Sequence, residues 1–442
     1  MKILVLGGDS RAHALVWKLF NSAAADVLVA PGNGGAALLA PVAPVDPADV
    51  VDVARWSFEQ GVDLIIPAAS EPLAAGLADE VISMHIGVFG PPQHATRLEQ
   101  SRSFARDFLE RHGLPVARGR ACADLATAEK YLAAQPLPVA IKADRPEGGA
   151  GVYHDRYAAL EALRASFAER SLEGDTSGVV IEEHLPGARV SLTAITDGSA
   201  AVPLLPARTY DTLGPEPDSP AAPAMGAITS NSAHFQRLGA HLHSRIITPI
   251  VAALAREGMP YWGFLGVDCV ITEQGPLVEG LRCGLRLAEA EAVLPRLEDD
   301  LLPLIEAALA KRLDQAPAPR WRDEATVALG LVAQGYPHHV PYGASVQGLS
   351  DVDEGVLVFH DQTHSPAELR YAPSSPGVGL AGLLAAPQAS SGAVTVTGGR
   401  VATVVATGAT LAGARGRALL NAERISFPGR IYGEHIGAHE FR

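Results

Sequence analysis

Short apolar runs alternate with helical patterns over the first hundred residues, and this alternation limits the possible folds more than any other feature. The apolar runs are KILVLG (2–7), ADVLVA (25–30), VDLIIPA (62–68) and IGVFGP (86–91). Segments with helical spacing separate them, at 11–22, 47–60 and 71–84. Strands that alternate with helices form βαβ units, in which the strands are parallel. The sequence therefore predicts an α/β domain on a parallel sheet.

A glycine turn follows the first predicted strand. Gly7, Gly8 and Ser10 precede a helix that opens near Arg11. Backbone N–H groups at the start of a helix can bind an anion. The same residues are also typical of a tight turn without a ligand, so the pattern leaves both interpretations open.

The next segments predict a small α+β unit. A charged helix over 93–113 ends at Gly113, and a second helix is capped by Asp124. The unit continues with the strand PVAIKAD (138–144), the glycine-rich turn EGGAG (147–151), a helix (156–170) and the strand GVVIEEHL (178–185).

The rest of the chain predicts a central domain and a β-rich C-terminal part. The central elements are two strands in 189–206, a loop at 207–230, a helix at 232–257, strands at 263–272 and 275–280, and a helix near 287–312. A linker at 314–323 leads to short strands, and 372–393 is a low-complexity insertion. The predicted domains are 1–100, 101–188, 189–323 and 324–442.

Composition and charge narrow the functional classes. No apolar run approaches the roughly 18 to 20 residues that span a bilayer, so we expect no membrane segment. Lys and Arg total 35 against 49 Asp and Glu, a net charge of −14 without a basic cluster, which argues against nucleic-acid binding. Three widely spaced cysteines suit neither a disulfide framework nor a zinc site, so we expect a cytoplasmic protein. Its partners should be small molecules or proteins. The sequence leaves the oligomeric state open, and a monomer is favoured.

Three charged residues lie at the ends of predicted strands. Lys142 precedes the glycine-rich turn, where an ammonium group can reach a phosphate held by backbone amides. Glu182 and Glu183 end a later strand, where they could serve a nucleotide or flank a solvated strand end. Lys142 could equally be a surface lysine whose ammonium group extends into solvent, so each of the three residues has a structural alternative.

Ten segments resemble the phosphoribosylamine–glycine ligase family of ATP-grasp enzymes, in the family's order. They are RAHALVWK (11–18), APGNGG (30–35), FGPPQHATRLEQSRSFARDFLERHGLP (89–115), VAIKAD (139–144), VVIEEHLPG (179–187), AMGA (224–227), GFLGVD (263–268), QGYP (334–337), GVLVFH (355–360) and GGRVATVVATG (398–408). The resemblance implies a parallel-sheet domain that precedes the ATP-grasp fold, an α+β ATP-grasp pair that clamps nucleotide, and a C-terminal β-rich domain.

The resemblance also implies a reaction and a set of site residues. In the family, ATP phosphorylates the glycine carboxylate, and phosphoribosylamine attacks the acyl phosphate to give the amide, ADP and phosphate, with Mg²⁺ aligning the charges. The implied ATP-binding residues are Arg102, Lys142, Glu182, Glu183 and Leu185. The implied phosphate- or substrate-binding residues are Gly7, Gly8, Arg11 and His13.

The sequence departs from the family pattern at its most charged positions. Ala150 stands where the family's phosphate loop has lysine, and Arg189 stands where an acid would meet the ribose. Gly280 and Arg282 occupy the positions of the family's two metal ligands, so we predict no metal site and doubt the role of Mg²⁺. Alternatives are a one-residue slip that brings in Glu279, or arginines that grip phosphate directly.

Two hypotheses follow. The chain is a ligase of this family with altered metal and phosphate residues, or it is a non-catalytic paralogue that binds a phosphorylated ligand or a protein partner.

Overall fold

The first hundred residues form the parallel sheet that the alternation predicts. The computed structural model describes residues 1–145, 149–172, 178–216, 219–338, 342–366 and 393–438. The N-terminal strands are β1 (Lys2–Gly7), β2 (Asp26–Pro31), β3 (Leu64–Pro67) and β4 (Gly87–Val88), in the sheet order β2-β1-β3-β4 with every pair parallel. The helices between them are α1 (Ser10–Phe20), α2 (Val50–Glu59), α3 (Glu71–Ala74) and α4 (Leu77–Glu80).

A four-stranded antiparallel sheet follows. Its strands are β5 (Gly119–Cys122), β6 (Val139–Ala143), β7 (Ala150–Tyr153) and β8 (Val179–Glu183), in the order β5-β8-β6-β7. Its helices are α5 (Arg97–Gln100), α6 (Arg102–Arg111), α7 (Leu125–Ala133) and α8 (Arg156–Leu172). Asp124 caps α7 by accepting a hydrogen bond from the Thr127 amide at 2.8 Å, as the sequence predicts.

The third sheet has ten strands and continues from the central region into the C-terminal region. Eight strands run in the order β14-β13-β9-β11-β12-β15-β19-β16, while β10 pairs with β9 and β20 pairs with β15. The central strands are β9 (Ala188–Thr196), β10 (Ala201–Pro203), β11 (Ala207–Thr212), β12 (Ala221–Thr229), β13 (Gly263–Thr272) and β14 (Gly275–Arg282). The C-terminal strands are β15 (Ala325–Ala333), β16 (Leu357–His360), β19 (Arg400–Gly408) and β20 (Arg430–Ile431), and a small separate sheet pairs β17 (Thr363–His364) with β18 (Thr395–Val396).

Five helices accompany the large sheet. They are α9 (Ala233–Leu242), α10 (Thr248–Arg256), α11 (Glu289–Val293), α12 (Leu302–Leu309) and α13 (Leu411–Ala422). A π-helical turn, His243–Ile247, joins α9 to α10, so together they form the single long helix predicted at 232–257. This helix is long and apolar enough by composition to cross a membrane. Its Leu242, Ile246 and Ile250 are nevertheless buried in the same apolar cluster as strands β9 and β13.

Several sequence predictions are wrong in detail. The predicted loop 207–230 is mostly a β-hairpin of β11 and β12, because β12 pairs with β15 on its far side. The predicted helix 93–113 is divided into α5, α6 and a preceding 3₁₀ turn, and 287–312 is likewise divided. Helix α13 lies in a region predicted as strands and turns. Insertion 372–393, except residue 393, and residues 147 and 148 of the glycine-rich turn lie outside the described residues.

The N-terminal sheet packs against the large sheet through one apolar core. Ile3 and Val5 of β1 are fully buried in the same cluster as Ala227 of β12 and Ala328 of β15. Phe89, which follows β4, contacts Phe264 of β13 edge to face at a centroid distance of 4.8 Å. The N-terminal domain is therefore fixed against the sheet that carries one wall of the site.

Candidate functional site

A cavity of about 350 Å³ lies between the small antiparallel sheet and the β13–β14 edge of the large sheet. Helix α6 contributes residues to the lining. Ser101 caps the start of this helix by accepting a hydrogen bond from the Phe104 amide at 3.1 Å. The Val278 amide of β14 donates to the Pro115 carbonyl at 2.8 Å and joins the two walls. The volume is within the range of small-molecule sites, roughly 300 to 1,000 Å³.

Charged side chains dominate the cavity lining. The six cationic residues that line it are Arg102, Arg106, Lys142, Arg189, Arg282 and Arg286. The five acidic residues are Glu99, Glu182, Asp211, Asp268 and Glu279. Cations therefore exceed acids by one, in a protein whose overall net charge is −14. Such a local excess favours an anionic ligand.

One group of these charges, the lysine cluster, comprises Arg106, Lys142, Glu182, Arg189 and Glu279. Lys142 Nζ contacts Glu182 and lies 3.6 Å from Glu279 Oε1. Arg106 Nη1 lies 3.2 Å from Glu182 Oε2, and Arg189 Nε lies 3.1 Å from Glu279 Oε2. Burial alone would raise the pKa of Glu279, but the Lys142 and Arg189 charges outweigh it and lower that pKa to about 2. Glu279 is thus ionised and links the two walls.

The other group, the arginine cluster, comprises Asp211, Asp268, Arg282, Arg286 and Glu289. Asp268 Oδ2 lies 3.3 Å from Arg282 Nε and 2.9 Å from Arg286 Nη1. The second ion pairs join Arg282 Nη2 to Glu289 at 3.1 Å and Arg286 Nη2 to Asp211 at 2.6 Å. Burial opposes the charge on Arg286, yet Asp268 and Asp211 raise its pKa above the ordinary value. The Arg286 guanidinium group therefore stays charged.

The structure brings three of the five predicted ATP-binding residues together in the cavity. Arg102, Lys142 and Glu182 line it, and Arg102 Nη1 donates to the Ala143 carbonyl at 2.7 Å. The other two residues, Glu183 and Leu185, are not among those that line it.

Glu183 and Leu185 have different surroundings. Glu183 Oε2 lies 2.7 Å from Arg118 Nη2, and hydrogen bonds from Arg118 lower its pKa although burial opposes this. Leu185 is half-buried in the loop after β8. A role of either residue in nucleotide binding stays a prediction.

The predicted anion site at the N-terminal turn has its side chains engaged with the protein. A Cβ on Gly7 would lie 2.6 Å from the Ala12 Cβ, so close packing requires glycine there. Arg11 Nε pairs with Asp9 at 2.8 Å, and its Nη1 donates to the Leu285 carbonyl at 3.0 Å. Gly8 is half-buried beside this turn. An anion at the Gly7–Arg11 turn stays a prediction.

His13 joins the turn to the C-terminal region. Its Nδ1 accepts from the His360 amide at 2.9 Å, and burial together with the nearby His360 lowers the pKa of His13 to about 3. Asn33 Nδ2 donates to the His360 carbonyl at 2.8 Å. His13 is therefore neutral and supplies no positive charge for a phosphate.

Sequence reasoning missed the acids of the arginine cluster. Asp268 interrupts an apolar strand, GFLGVDCVIT, and a carboxylate at such a position needs a buried partner. That pattern was a usable signal. Asp211 lay in a segment interpreted as loop, and Glu289 is only 2% exposed in a short helix, so neither had a pattern that would reveal it.

The arginine cluster does not fit a divalent metal ion. Its three carboxylates are already paired with guanidinium groups, and Gly280, opposite Asp268 in the β13–β14 ladder, has no side chain to offer. Throughout the described ranges, no group of three or more His, Cys, Asp or Glu side chains is arranged to hold a metal. A nucleotide does fit the cleft, because the lining offers cations for phosphates and a volume of suitable size.

Three family models match the chain in succession. The phosphoribosylglycinamide synthetase N domain matches residues 1–99, the ATP-grasp (A) domain of the same enzyme matches 100–291, and its C domain matches 326–439. Together they cover most of the chain.

Curated relatives match over the full length. A phosphoribosylamine–glycine ligase of Caulobacter vibrioides is 33% identical over 441 residues, covering 99% of this chain and 98% of that protein. A ligase of the same name from Mesorhizobium japonicum is 32% identical with the same coverage. The trifunctional purine biosynthetic protein adenosine-3 of Gallus gallus is 30% identical over 99% of this chain and 42% of its own length.

Solved structures share the fold. A phosphoribosylamine–glycine ligase from Thermotoga maritima superposes with a TM-score of 0.78 at 21% identity, covering 98% of this chain and 99% of that one. The biotin carboxylase domain of 2-oxoglutarate carboxylase from Hydrogenobacter thermophilus reaches a TM-score of 0.68 at 12% identity, over 97% and 91% of the two chains.

Proposed function

The chain belongs to the phosphoribosylglycinamide synthetase family, and from this membership we propose that it is an ATP-dependent phosphoribosylamine–glycine ligase of purine biosynthesis. The observation that carries the proposal is the cationic cavity between the two sheets. Full-length similarity to ligases, at 33% identity in one case, supports the reaction class. The three cysteines are all buried and free, which supports a cytoplasmic location.

Lys142 is the residue to which we assign phosphate binding. It is the end of β6 that places its ammonium group in the cavity, and its side chain is only 10% exposed. A nucleotide phosphate would replace Glu279, 3.6 Å away, as its partner. Arg189 would hold Glu279 when Lys142 leaves it, so the exchange does not strand a buried carboxylate.

The substrates must also be protected from water and oriented. The β-hairpin of β11 and β12 closes the cavity at Asp211, which Arg286 holds at 2.6 Å. A fixed hairpin can orient an amine and an acyl phosphate for attack, and such orientation is worth roughly 7 to 11 kcal/mol of barrier.

A second candidate function is nucleotide binding without ligation. The specific observation in its favour is the absence of side-chain charge at two positions of the lining, Ala150 and Gly280. Both positions carry ligands of the phosphates or the metal in the pattern that the sequence resembles. In that case the cavity would serve as a sensor or as a binding site for a phosphorylated ligand.

Product analysis separates the two functions. The purified full-length chain is incubated with ATP, glycine and freshly prepared phosphoribosylamine, and glycinamide ribonucleotide and ADP are measured by mass spectrometry. We expect both products in equal amounts. Nucleotide binding without either product would instead support the second candidate.

A matched pair of variants tests the cavity itself. Lys142→Met should abolish product formation, because it removes the buried ammonium group. Lys130→Met alters an exposed lysine on α7 and should leave the rate unchanged. Equal loss in both variants would contradict the assignment of Lys142.

A further inference from the structure

The carboxylates nearest the β13–β14 edge already have cationic partners. Asp268 Oδ2 is shared by two guanidinium groups, at 3.3 Å from Arg282 and 2.9 Å from Arg286. Glu289, 2% exposed, pairs with Arg282, and Asp211 pairs with Arg286. Each carboxylate that a divalent cation would need is thus held in an ion pair, with two guanidinium groups shared among three carboxylates.

The geometry leaves the arginines with unused donors. Arg282 Nη1 and Arg286 Nε are buried without a hydrogen-bond partner, whereas Arg282 Nε faces Asp268 Oδ2 at 3.3 Å. Both residues line the cavity. A guanidinium group offers its N–H groups in a plane that matches phosphate oxygens, and it needs no metal to do so. These N–H groups are covered in the structure, so a phosphate reaches them only if the side chains of the arginine cluster shift.

The strand opposite offers no side chain at the ladder position that faces Asp268. Gly280 is the ladder partner of Asp268, and a Cβ built there would meet nothing nearer than Asp268 Oδ2, at 4.0 Å. Glu279, one residue earlier, is held by Arg189 and Lys142 in the lysine cluster. The ladder is irregular at this point, because Asp268 pairs with Gly280 and Cys269 pairs with Val278, so Glu279 lies at a bulge and is held there by cations.

We infer that Arg282 and Arg286 take the place of the divalent metal, so that the cleft binds a nucleoside polyphosphate in its metal-free form. The inference rests on the proposed nucleotide binding, and it adds that the bound nucleotide carries no metal ion. The arginines hold Asp268, Asp211 and Glu289 in ion pairs, and the phosphates are bound directly by the cationic side chains that line the cleft. A Mg²⁺ complex of the nucleotide carries less negative charge and brings a cation toward two guanidinium groups, so it binds less well.

Calorimetry on the full chain tests the inference. ADP and ATP are each titrated in EDTA and in excess Mg²⁺, and Mn²⁺ alone is titrated as a probe of the metal site. We expect affinity in EDTA to equal or exceed that in Mg²⁺, and no saturable Mn²⁺ binding. A loss of tenfold or more on adding EDTA would overturn the inference while leaving nucleotide binding intact. No heat under either condition would overturn nucleotide binding, and the inference with it.

A variant pair locates the effect. Arg286→Gln should weaken metal-free ADP binding by about tenfold, the loss expected for one charge-assisted hydrogen bond. Arg320→Gln alters an exposed arginine, 73% accessible and paired with Asp299, and should bind as the parent does. Unchanged ADP affinity in a folded Arg286→Gln variant would contradict the role of Arg286 in phosphate binding. If that variant does not fold, the comparison of EDTA with Mg²⁺ on the unaltered chain still decides the question.

Discussion

Replacing Gly280 by Glu together with Arg282 by Asn should create a metal-dependent nucleotide site. The two positions lie two residues apart on β14, so their side chains point to the same face of the strand. Gly280 has room for a side chain, because only Asp268 Oδ2 comes within 4.0 Å of an added Cβ. The change removes one cation and supplies a carboxylate and an amide oxygen, both of which suit Mg²⁺.

The electrostatic gain can be set against the structural cost. A guanidinium group about 4 Å from Mg²⁺ opposes it by roughly 8 kcal/mol at an effective dielectric constant near 20. Removing Arg282 also deprives Glu289 of its ion pair at 3.1 Å, and a buried carboxylate that loses its partner costs about 3 to 5 kcal/mol. The double variant should therefore be less stable than the parent without metal, and Mg²⁺ should recover much of that loss.

Thermal unfolding and calorimetry provide the assay. We expect Mg²⁺ to raise the Tm of the double variant, and to strengthen its ADP binding by tenfold or more, while the parent shows neither effect. The single variant Arg282→Asn is the control, since it lacks the new carboxylate and should respond more weakly. A folded double variant that ignores Mg²⁺ in both assays would refute the reasoning, because it would show that charge at 282 does not decide metal binding.

Two further predictions concern the junction of the N- and C-terminal regions. Burial raises the pKa of Asp361 to about 7, although the Arg400 charge opposes this. The protonated Asp361 side chain therefore stabilises the folded protein fully below about pH 4, and this contribution is lost as the pH rises through 7. Asp361→Asn should therefore gain unfolding free energy relative to the parent between pH 4 and 7, by at most about 1.4 kcal/mol per pH unit, in denaturant titrations; a difference that falls with pH would disagree. Asn33→Ala should lower the unfolding free energy by about 3 kcal/mol, because it strands the His360 carbonyl and two buried amides, and an effect below about 0.5 kcal/mol would contradict the hydrogen bonds.

Local patterns predicted the parts of the fold that local patterns determine. The β1–β4 strands are apolar runs of strand length between helices, and they fold as predicted. Strand β12, AAPAMGAIT, has few β-branched residues, and it is a strand because Gly226–Thr229 pair with β15 across about a hundred residues of sequence. The sequence around β12 therefore gives no sign of its partner, β15.

The candidate site also contains residues that local sequence could predict and residues that it could not. The position of Lys142 in the cavity agrees with the sequence, because a lysine at a strand end before glycines is a local signal, and its role in phosphate binding stays a prediction. The Arg286–Asp211 pair joins residues 75 positions apart. Arg286 lies between β14 and α11, and only the tertiary contact of α11 with β11 brings the pair together. Charge pairs across domains are consequences of the tertiary structure, and the resemblance to a family supplied positions but not partners.

The ten-stranded sheet has a consequence for any attempt to shorten the chain. Because β12 bonds to β15 along Gly226–Thr229, ending the protein near the linker 314–323 would expose a row of unpaired amide and carbonyl groups on β12. A bare edge of this kind readily recruits strands from other molecules. Truncated forms should therefore associate rather than remain as isolated nucleotide-binding fragments. Fusion partners are better attached at the termini of the chain than inserted at the linker 314–323.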